Sequence, residues 1–516
     1  MDRWTQGIVV LEGGLNTSTS PIQQGITSNG SARALINYEC LVGGGYRRID
    51  GYSAYSDTEV PGDTDTPVLG VHPFHEGVIA TRLNSTSIDI NYGTGTTWTT
   101  LNVSPRTGTT TKTRAVTYEL DIPTIVIVDG NNHAFKYQSD GTAATINHVS
   151  APNDPSYVAY HLNRLVLSGY SSNPSAITLS VPNDDENYHA VDGAIELQVG
   201  DTVLGLKSFR NELYIIGKKS IHKLQGTSSS DFIVIPVATN IGIKDSDTLQ
   251  EVGGDLIYLA RDGFRTVAGT TRVGDVELGL VSRDITSEVQ EMLSSAVVTY
   301  STITIPDKSQ YRLFYHRASD TDASAKGFIG TYKPTEFSTY SFSTTLGFPV
   351  YCAGSDVLTN GDTLQVFGHP SNGLVYVFDT SNSLGGNSLP YRYTSPPLTF
   401  PQDQVDPRKV LYKWGMTTKV EGATTFNMKI TLDEFEVPAR NQPYSEIITL
   451  GDLGTNWDEA DWDEFTWALE EELKVIRINC KGSGKTFTLE VSGSSLSDDS
   501  HTIYSHILEY SVKGKR

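Results

Sequence analysis

The run Gly482-Ser483-Gly484-Lys485-Thr486 most invites a chemical reading, because a lysine and a hydroxyl after small residues end the loop that cradles phosphates in P-loop nucleotide sites. The full pattern also demands a glycine at position 479, which is Asn479, and a following helix whose N-terminus faces the phosphate. Residues 473–482 and 485–493 read instead as the two strands of a β-hairpin with a Gly-Ser-Gly turn, so nucleotide binding is not expected and Lys485→Ala should leave folding intact. His72, His75 and Glu76 lie close together, but a helical zinc site needs histidines four apart, and this spacing is three in a segment broken by Pro73 and Gly77. An incidental strand-edge pair is the expectation. Residues 456–472 alternate acids with Trp457, Trp462 and Trp467, which reads as an irregular loop packed by its aromatics with its carboxylates in solvent. Residues 182–189 lack the spacing and glycine of a calcium loop and are expected to be a solvated loop between blades. There is no G-x-S-x-G elbow, and Cys40, Cys352 and Cys480 sit in no reactive context. A pair of glycosidase carboxylates needs no fixed spacing, so that activity is left open. No catalytic, cofactor-binding or metal residue is assigned, and an enzyme is not expected.

With 516 residues the chain exceeds one ordinary core and should hold two or three domains. Three widely separated cysteines propose neither a disulfide framework nor a zinc site, and suit a reducing compartment. No run approaches 18 apolar residues, and the first residues lack the basic start and cleavage site of a signal peptide, so neither membrane spanning nor classical secretion is expected. The net charge of −21 opposes adhesion to nucleic acid, which requires cationic surface, and suits either solubility or a surface along which DNA slides. The 26 tyrosines fit blade packing, with protein interfaces or sugar stacking as alternatives.

What must position these residues is a repeated strand-turn-strand unit. Gly77, Pro123, Asn163, Asn211, Gly254, Ser309 and Gly361 each open an apolar strand, at intervals of 40 to 55 residues, as four-stranded propeller blades require. Asn163 and Asn211 open matching N-x-L-h-h-x-G segments, where h is apolar or aromatic. Asp262-Gly263, Asp129 to Asn132 and Ser371 to Gly373 supply tight turns between apolar runs. The fold class is therefore all-β: a propeller of six or seven blades over 61–400, an N-terminal arm and hairpin over 1–60, and a β-sandwich-like C-terminal domain over 401–516. One short helix is expected within 275–296, on the stripe Ile285, Val289, Leu293. The prolines and glycines of 383–407 mark the domain boundary. The polar arm, residues 1–20, should be removable without unfolding the propeller, because it would bury little apolar surface.

Four stretches, GGLNTSTSP with ALINYECLVGGGYRRIDGYSAYS, VLGLKSFRNELYIIGKKSIHKLQG, GGDLIYLARDGFRTVAG with LGLVSRDI, and the terminal HILEYSVKGKR, resemble the tail nozzle, or tail tubular, proteins of short-tailed bacteriophages. The likeness runs in order over most of the chain. It implies a structural virion protein of the phage tail, present in the host cytoplasm during assembly and inert as an enzyme. Its partners would be further copies of itself in a ring of six, the tail adaptor ring, and tail fibres or spikes, with double-stranded DNA passing through during ejection. The alternative reading is a carbohydrate- or receptor-binding propeller.

Overall fold

Seven short β-meanders succeed one another around a common axis in the computed structural model, which describes residues 5–26, 30–101, 105–267, 280–333, 340–400, 408–434, 444–450 and 473–512. Six are sheets of their own and form free-standing propeller blades. Their first strands are Val68–Phe74, Arg114–Glu119, Tyr157–His161, Val203–Phe209, Gln250–Val252 and Cys352–Val357; all have four strands except that of Gln250–Val252, which has three. The remaining meander, Val297–Ile305 through Tyr340–Leu346, stands in the ring between the last two and continues into a larger sheet.

Each of the seven anchor residues lies at the turn that opens the second strand of its meander. The local reason is backbone handedness. Leu162 and Asn163, Arg210 and Asn211, and Gly253 and Gly254 all have positive φ, the conformation whose twist matches that of the strands it joins. At the Asp129 turn the carboxylate accepts from the backbone N–H of Asn131 and Asn132 and is itself held by Arg106 at 2.8 Å. The last blade takes its outermost strand, Tyr52–Ala54, from the N-terminal segment, and its first strand docks on the first blade through Cys352 Sγ, which donates to the Val68 carbonyl at 3.1 Å. Ring closure thus joins residues some 300 positions apart.

The larger sheet has nine strands. After Tyr340–Leu346 it runs through Ala34–Ile36, Leu389–Thr394, Phe487–Ser495, Thr424–Leu432 and Tyr444–Leu450. A second sheet faces it, built from Tyr38–Cys40, Tyr46–Arg48, His501–Val512, Lys409–Val420 and Leu473–Gly484, with Thr5–Val10 also paired to His501–Val512. Between them Trp414, Met416, Met428, Leu489, Val491 and Leu508 are fully buried, and the same apolar cluster reaches Phe264 and Tyr311 of the propeller. The helix Thr286–Ser294 seats Val289 and Met292 on this cluster, with Leu293 partly buried beside it.

Three expectations are corrected. The hairpin expected within 1–60 is present as Tyr38–Cys40 and Tyr46–Arg48, but the described residues around it are not a free arm: Thr5–Val10 and Ala34–Ile36 join the two terminal sheets and Tyr52–Ala54 the last blade, and the apolar Val9, Leu11 and Leu15 find their cover there. Residues 473–495 are not a hairpin, since Leu473–Gly484 pairs with Lys409–Val420 in one sheet and Phe487–Ser495 with Leu389–Thr394 and Thr424–Leu432 in the other. Lys485 and Thr486 turn the corner between sheets, pinned by their backbone N–H groups on Asp433 Oδ1. The loop 182–189 lies inside one blade rather than between two, and Asp185 is buried in it, accepting from Tyr118 and from Lys136 Nζ of the preceding blade. The tryptophan-rich run 456–472 lies outside the described residues.

Removing residues 1–15 takes Val9, Leu11 and Leu15 out of the terminal core, a loss of about 6 kcal/mol at ~2 kcal/mol per buried aliphatic side chain. Urea unfolding of the truncated chain should show that loss; a midpoint equal to that of the intact chain would return these residues to the status of an ornamental arm.

Candidate functional site

The first strands of the meanders line an axial cavity of ≈ 800 Å³. His72 comes from the first blade, Thr117 from the second, Lys207 from the fourth, Glu251 from the fifth, Thr304 from the shared meander and Asp356 from the last. Strand alternation makes this possible, since inner strands present every second side chain to the axis. Propeller geometry therefore gathers residues spread over nearly 300 positions into one space.

A buried ion cluster crosses the axis beside the cavity. Asp247 accepts from Arg114 Nε at 2.6 Å and from Lys112 Nζ at 2.8 Å. Lys112 Nζ also donates to the Tyr300 carbonyl at 2.7 Å and to Ser301 Oγ at 2.8 Å, so it ties the second blade to the shared meander on the far side of the ring. The Arg114 guanidinium lies over the Tyr157 ring, 5.0 Å from its centroid. Burial alone would raise the Asp247 carboxyl, but the two cations outweigh it and hold it well below the usual carboxylate range. Neighbouring Asp245 goes the other way, raised by burial and by the Asp247 charge.

Lys207 is the cavity's cation. Its ammonium is pushed below the usual lysine range by burial, against the opposing pull of Glu251 and Asp356, and among the described residues no salt bridge closes on it. Asp356 accepts from Thr117 Oγ1 at 3.1 Å. A cation, two carboxylates and several hydroxyls around a space of this size can hold a small polar molecule, since such sites commonly enclose ~300–1,000 Å³. The space is too small for a nucleic-acid duplex, and the Lys112, Arg114 and Asp247 cluster lies beside it.

The sequence motifs lie elsewhere. His72 faces the axis, its Nε2 3.3 Å from Thr113 Oγ1 and its pKa lowered to about 4 by burial, whereas His75 and Glu76 sit on the hairpin turn beyond that strand. The described residues bring no three His, Cys, Asp or Glu side chains together as metal ligands. At Lys485 and Thr486 the N–H groups that a phosphate would need are already given to Asp433. Cys40, Cys352 and Cys480 are buried and free, each thiol pushed up to about 12 by burial, which leaves no thiolate for nucleophilic chemistry. Lys207, Glu251, Asp356 and Asp247 were not singled out in the sequence. Their only local signal was a charged residue inside or beside an otherwise apolar strand.

No helix among the described residues is long and apolar enough to cross a membrane. No family model matches the chain, and no curated protein does. Among solved structures, the computationally designed Ika8 protein is similar at 10% identity and a TM-score of 0.33, covering 63% of this chain and 99% of that one. PorZ, a surface component of the type-IX secretion system of Porphyromonas gingivalis, is similar at 12% identity and a TM-score of 0.40, covering 82% of this chain and 60% of that one. BBS1N, in its complex with ARL6DN, is similar at 10% identity and a TM-score of 0.37, covering 65% and 99%.

Acid should weaken this fold in two stages. His72, His501 and His506 are buried with pKa values lowered to about 4, 3 and 3, all by burial, so the unfolded chain takes up protons below about pH 6.5 while the folded chain does not. Stability is full well above that pH and declines toward pH 3, by about 3 kcal/mol between pH 6.5 and 5.5, because each of the three groups contributes ~1 kcal/mol over the unit in which its unfolded imidazole goes from half to mostly protonated. Asp247 and Asp379, both held low by paired cations, add their loss only below about pH 4. Denaturant titrations at pH 7.5, 5.5 and 4 measure this directly, and a flat profile from 7.5 to 5.5 would contradict the neutral burial of the histidines.

Proposed function

We propose that the protein is a structural, non-catalytic virion subunit, six copies of which form the distal tail nozzle of a short-tailed bacteriophage, with DNA passing between copies rather than through the propeller axis. The observation that carries this reading is where the nozzle-like stretches lie in space. Thr17, in GGLNTSTSP, donates its backbone N–H to the Asp284 carbonyl at 2.7 Å, and its hydroxyl lies 2.6 Å from that of Ser287, beside LGLVSRDI. The terminal strand His501–Val512 pairs with Thr5–Val10 and with Tyr46–Arg48 of the N-terminal stretch. Stretches hundreds of residues apart in the chain thus build one junction between propeller and sandwich. That is the use expected of segments that fix a rigid subunit shape.

Charge supports the same reading. A chain of net charge −21 repels the phosphate backbone, which favours a conduit through which DNA slides without adhering. The axial cavity favours a second reading, a propeller that binds a small polar ligand such as a sugar while remaining a free monomer.

Mass separates the two. Light scattering of the purified chain, alone and with its adaptor ring, should give a species near six times the monomer mass under at least the second condition. A monomer under both conditions would leave the ligand-binding reading as the better one.

A further inference from the structure

The axial cavity is one of two hollows that meet at Lys207. A smaller one, of ≈ 250 Å³, is lined by the first strands of the second, third and fourth blades and shares Ala115, Val116, Lys207 and Gln250 with the larger. Lys207, on the strand Val203–Phe209, therefore stands at the waist between them. An ammonium carries three N–H donors, which need acceptors where water is largely excluded. Among the described residues, no carboxylate, hydroxyl or carbonyl takes up a donor of Lys207. Arg114, the other full cation on these linings, is already held by Asp247 at 2.6 Å. The donors of Lys207 are left to whatever fills the waist.

The two hollows differ in charge. Glu251 and Asp356 line the larger one, whereas no Asp or Glu among the described residues lines the smaller. A negative group is thus repelled on the large side and welcome at the waist. Asp356 accepts from Thr117 Oγ1 at 3.1 Å and from the Val357 backbone N–H at 2.8 Å, while Glu251 accepts from no described residue. Carboxylates with lone pairs to spare, beside the Thr304 hydroxyl, suit a body rich in O–H groups, because each hydroxyl both donates and accepts. A second negative charge on that body would face two like charges.

We infer that the axial cavity binds a small polyhydroxylated acid with a single negative charge, a sugar acid in kind, its carboxylate on Lys207 and its hydroxyls toward Glu251 and Asp356; this rests on the second reading above, that the cavity takes a small polar ligand, and names the ligand's class. A neutral sugar offers Lys207 only hydroxyl oxygens, which are weaker acceptors than a carboxylate for an ammonium shielded from water. A dianion gains the same contact and loses it again against the carboxylates of the larger hollow.

Isothermal titration of the full chain with glucuronate, glucose and the dianion glucarate tests this. Glucuronate should bind the wild type roughly tenfold or more tighter than either of the others, the difference that one charge-assisted contact makes. Lys207→Met should bring glucuronate down to the level of glucose. Its unfolding midpoint should equal or exceed that of the wild type, because the substitution removes a shielded charge that has no partner. Glu251→Gln should instead raise the affinity for glucarate. Equal binding of glucose and glucuronate, unchanged in Lys207→Met, overturns the acid class while leaving the ligand-binding reading intact. A wild type that binds none of the three overturns both. A lowered midpoint for Lys207→Met would mean that the chain's own groups hold the ammonium, which also overturns the inference.

Discussion

One buried carboxylate holds four parts of this chain together. Glu39 is fully buried on the N-terminal hairpin and accepts from Arg312 at 3.1 Å, Lys308 at 3.1 Å, Gln310 at 3.0 Å and Arg47 at 3.3 Å. Arg312 passes the contact to Asp379 of the ring-closing blade at 2.8 Å, and Arg47 passes it to Glu421 of the terminal sandwich at 2.6 Å. Burial would raise the Asp379 carboxyl, yet Arg312 and Lys308 hold it down at about 2. Such a network adds little net stability over an apolar core, because desolvating the charges offsets most of their attraction. Its strength is that it tolerates no partial version: deleting one partner strands a buried charge at a cost of about 3–5 kcal/mol. The N-terminal hairpin, the shared meander, the last blade and the sandwich can meet in one arrangement only.

The other long-range features follow from that arrangement. With the hairpin fixed, Ala34–Ile36 falls between Tyr340–Leu346 and Leu389–Thr394 and makes one sheet of a propeller meander and a sandwich layer. Tyr52–Ala54 then reaches the last blade and closes the ring. A closed ring places the first strands around the axis, where the Lys112, Arg114 and Asp247 cluster ties opposite sides together. Sequence, sheet pairing, a locked junction and a fixed outer surface form one chain of dependence.

The local features of this fold were legible in the sequence. Asn163, Asn211 and Gly254 announced their turns because only certain residues accept positive φ cheaply. Residues 409–420 and 501–512 read as strands because their β-branched and aromatic content is written in the strands themselves. What the sequence withheld was partner choice. Nothing in Thr5–Val10 names Tyr510 as its neighbour, and the Gly-Ser-Gly before Lys485 serves a corner between sheets as well as a hairpin turn. Tyr444–Leu450 was missed because its acid and exposed positions blur the alternation, and Asp185 because a burial set by the preceding blade leaves no mark in its own loop. The cavity residues were hidden for the same reason: Lys207, Glu251 and Asp356 become a site only when the ring closes.

The account stands on propeller and sandwich being one cooperative body. Differential scanning calorimetry of the wild type and of Glu39→Gln tests this most directly. A single transition is expected for the wild type, with calorimetric and van't Hoff enthalpies equal, and Glu39→Gln should lower the midpoint of that one transition or split it in two. Two separate wild-type transitions, with Glu39→Gln shifting only one of them, would contradict the account.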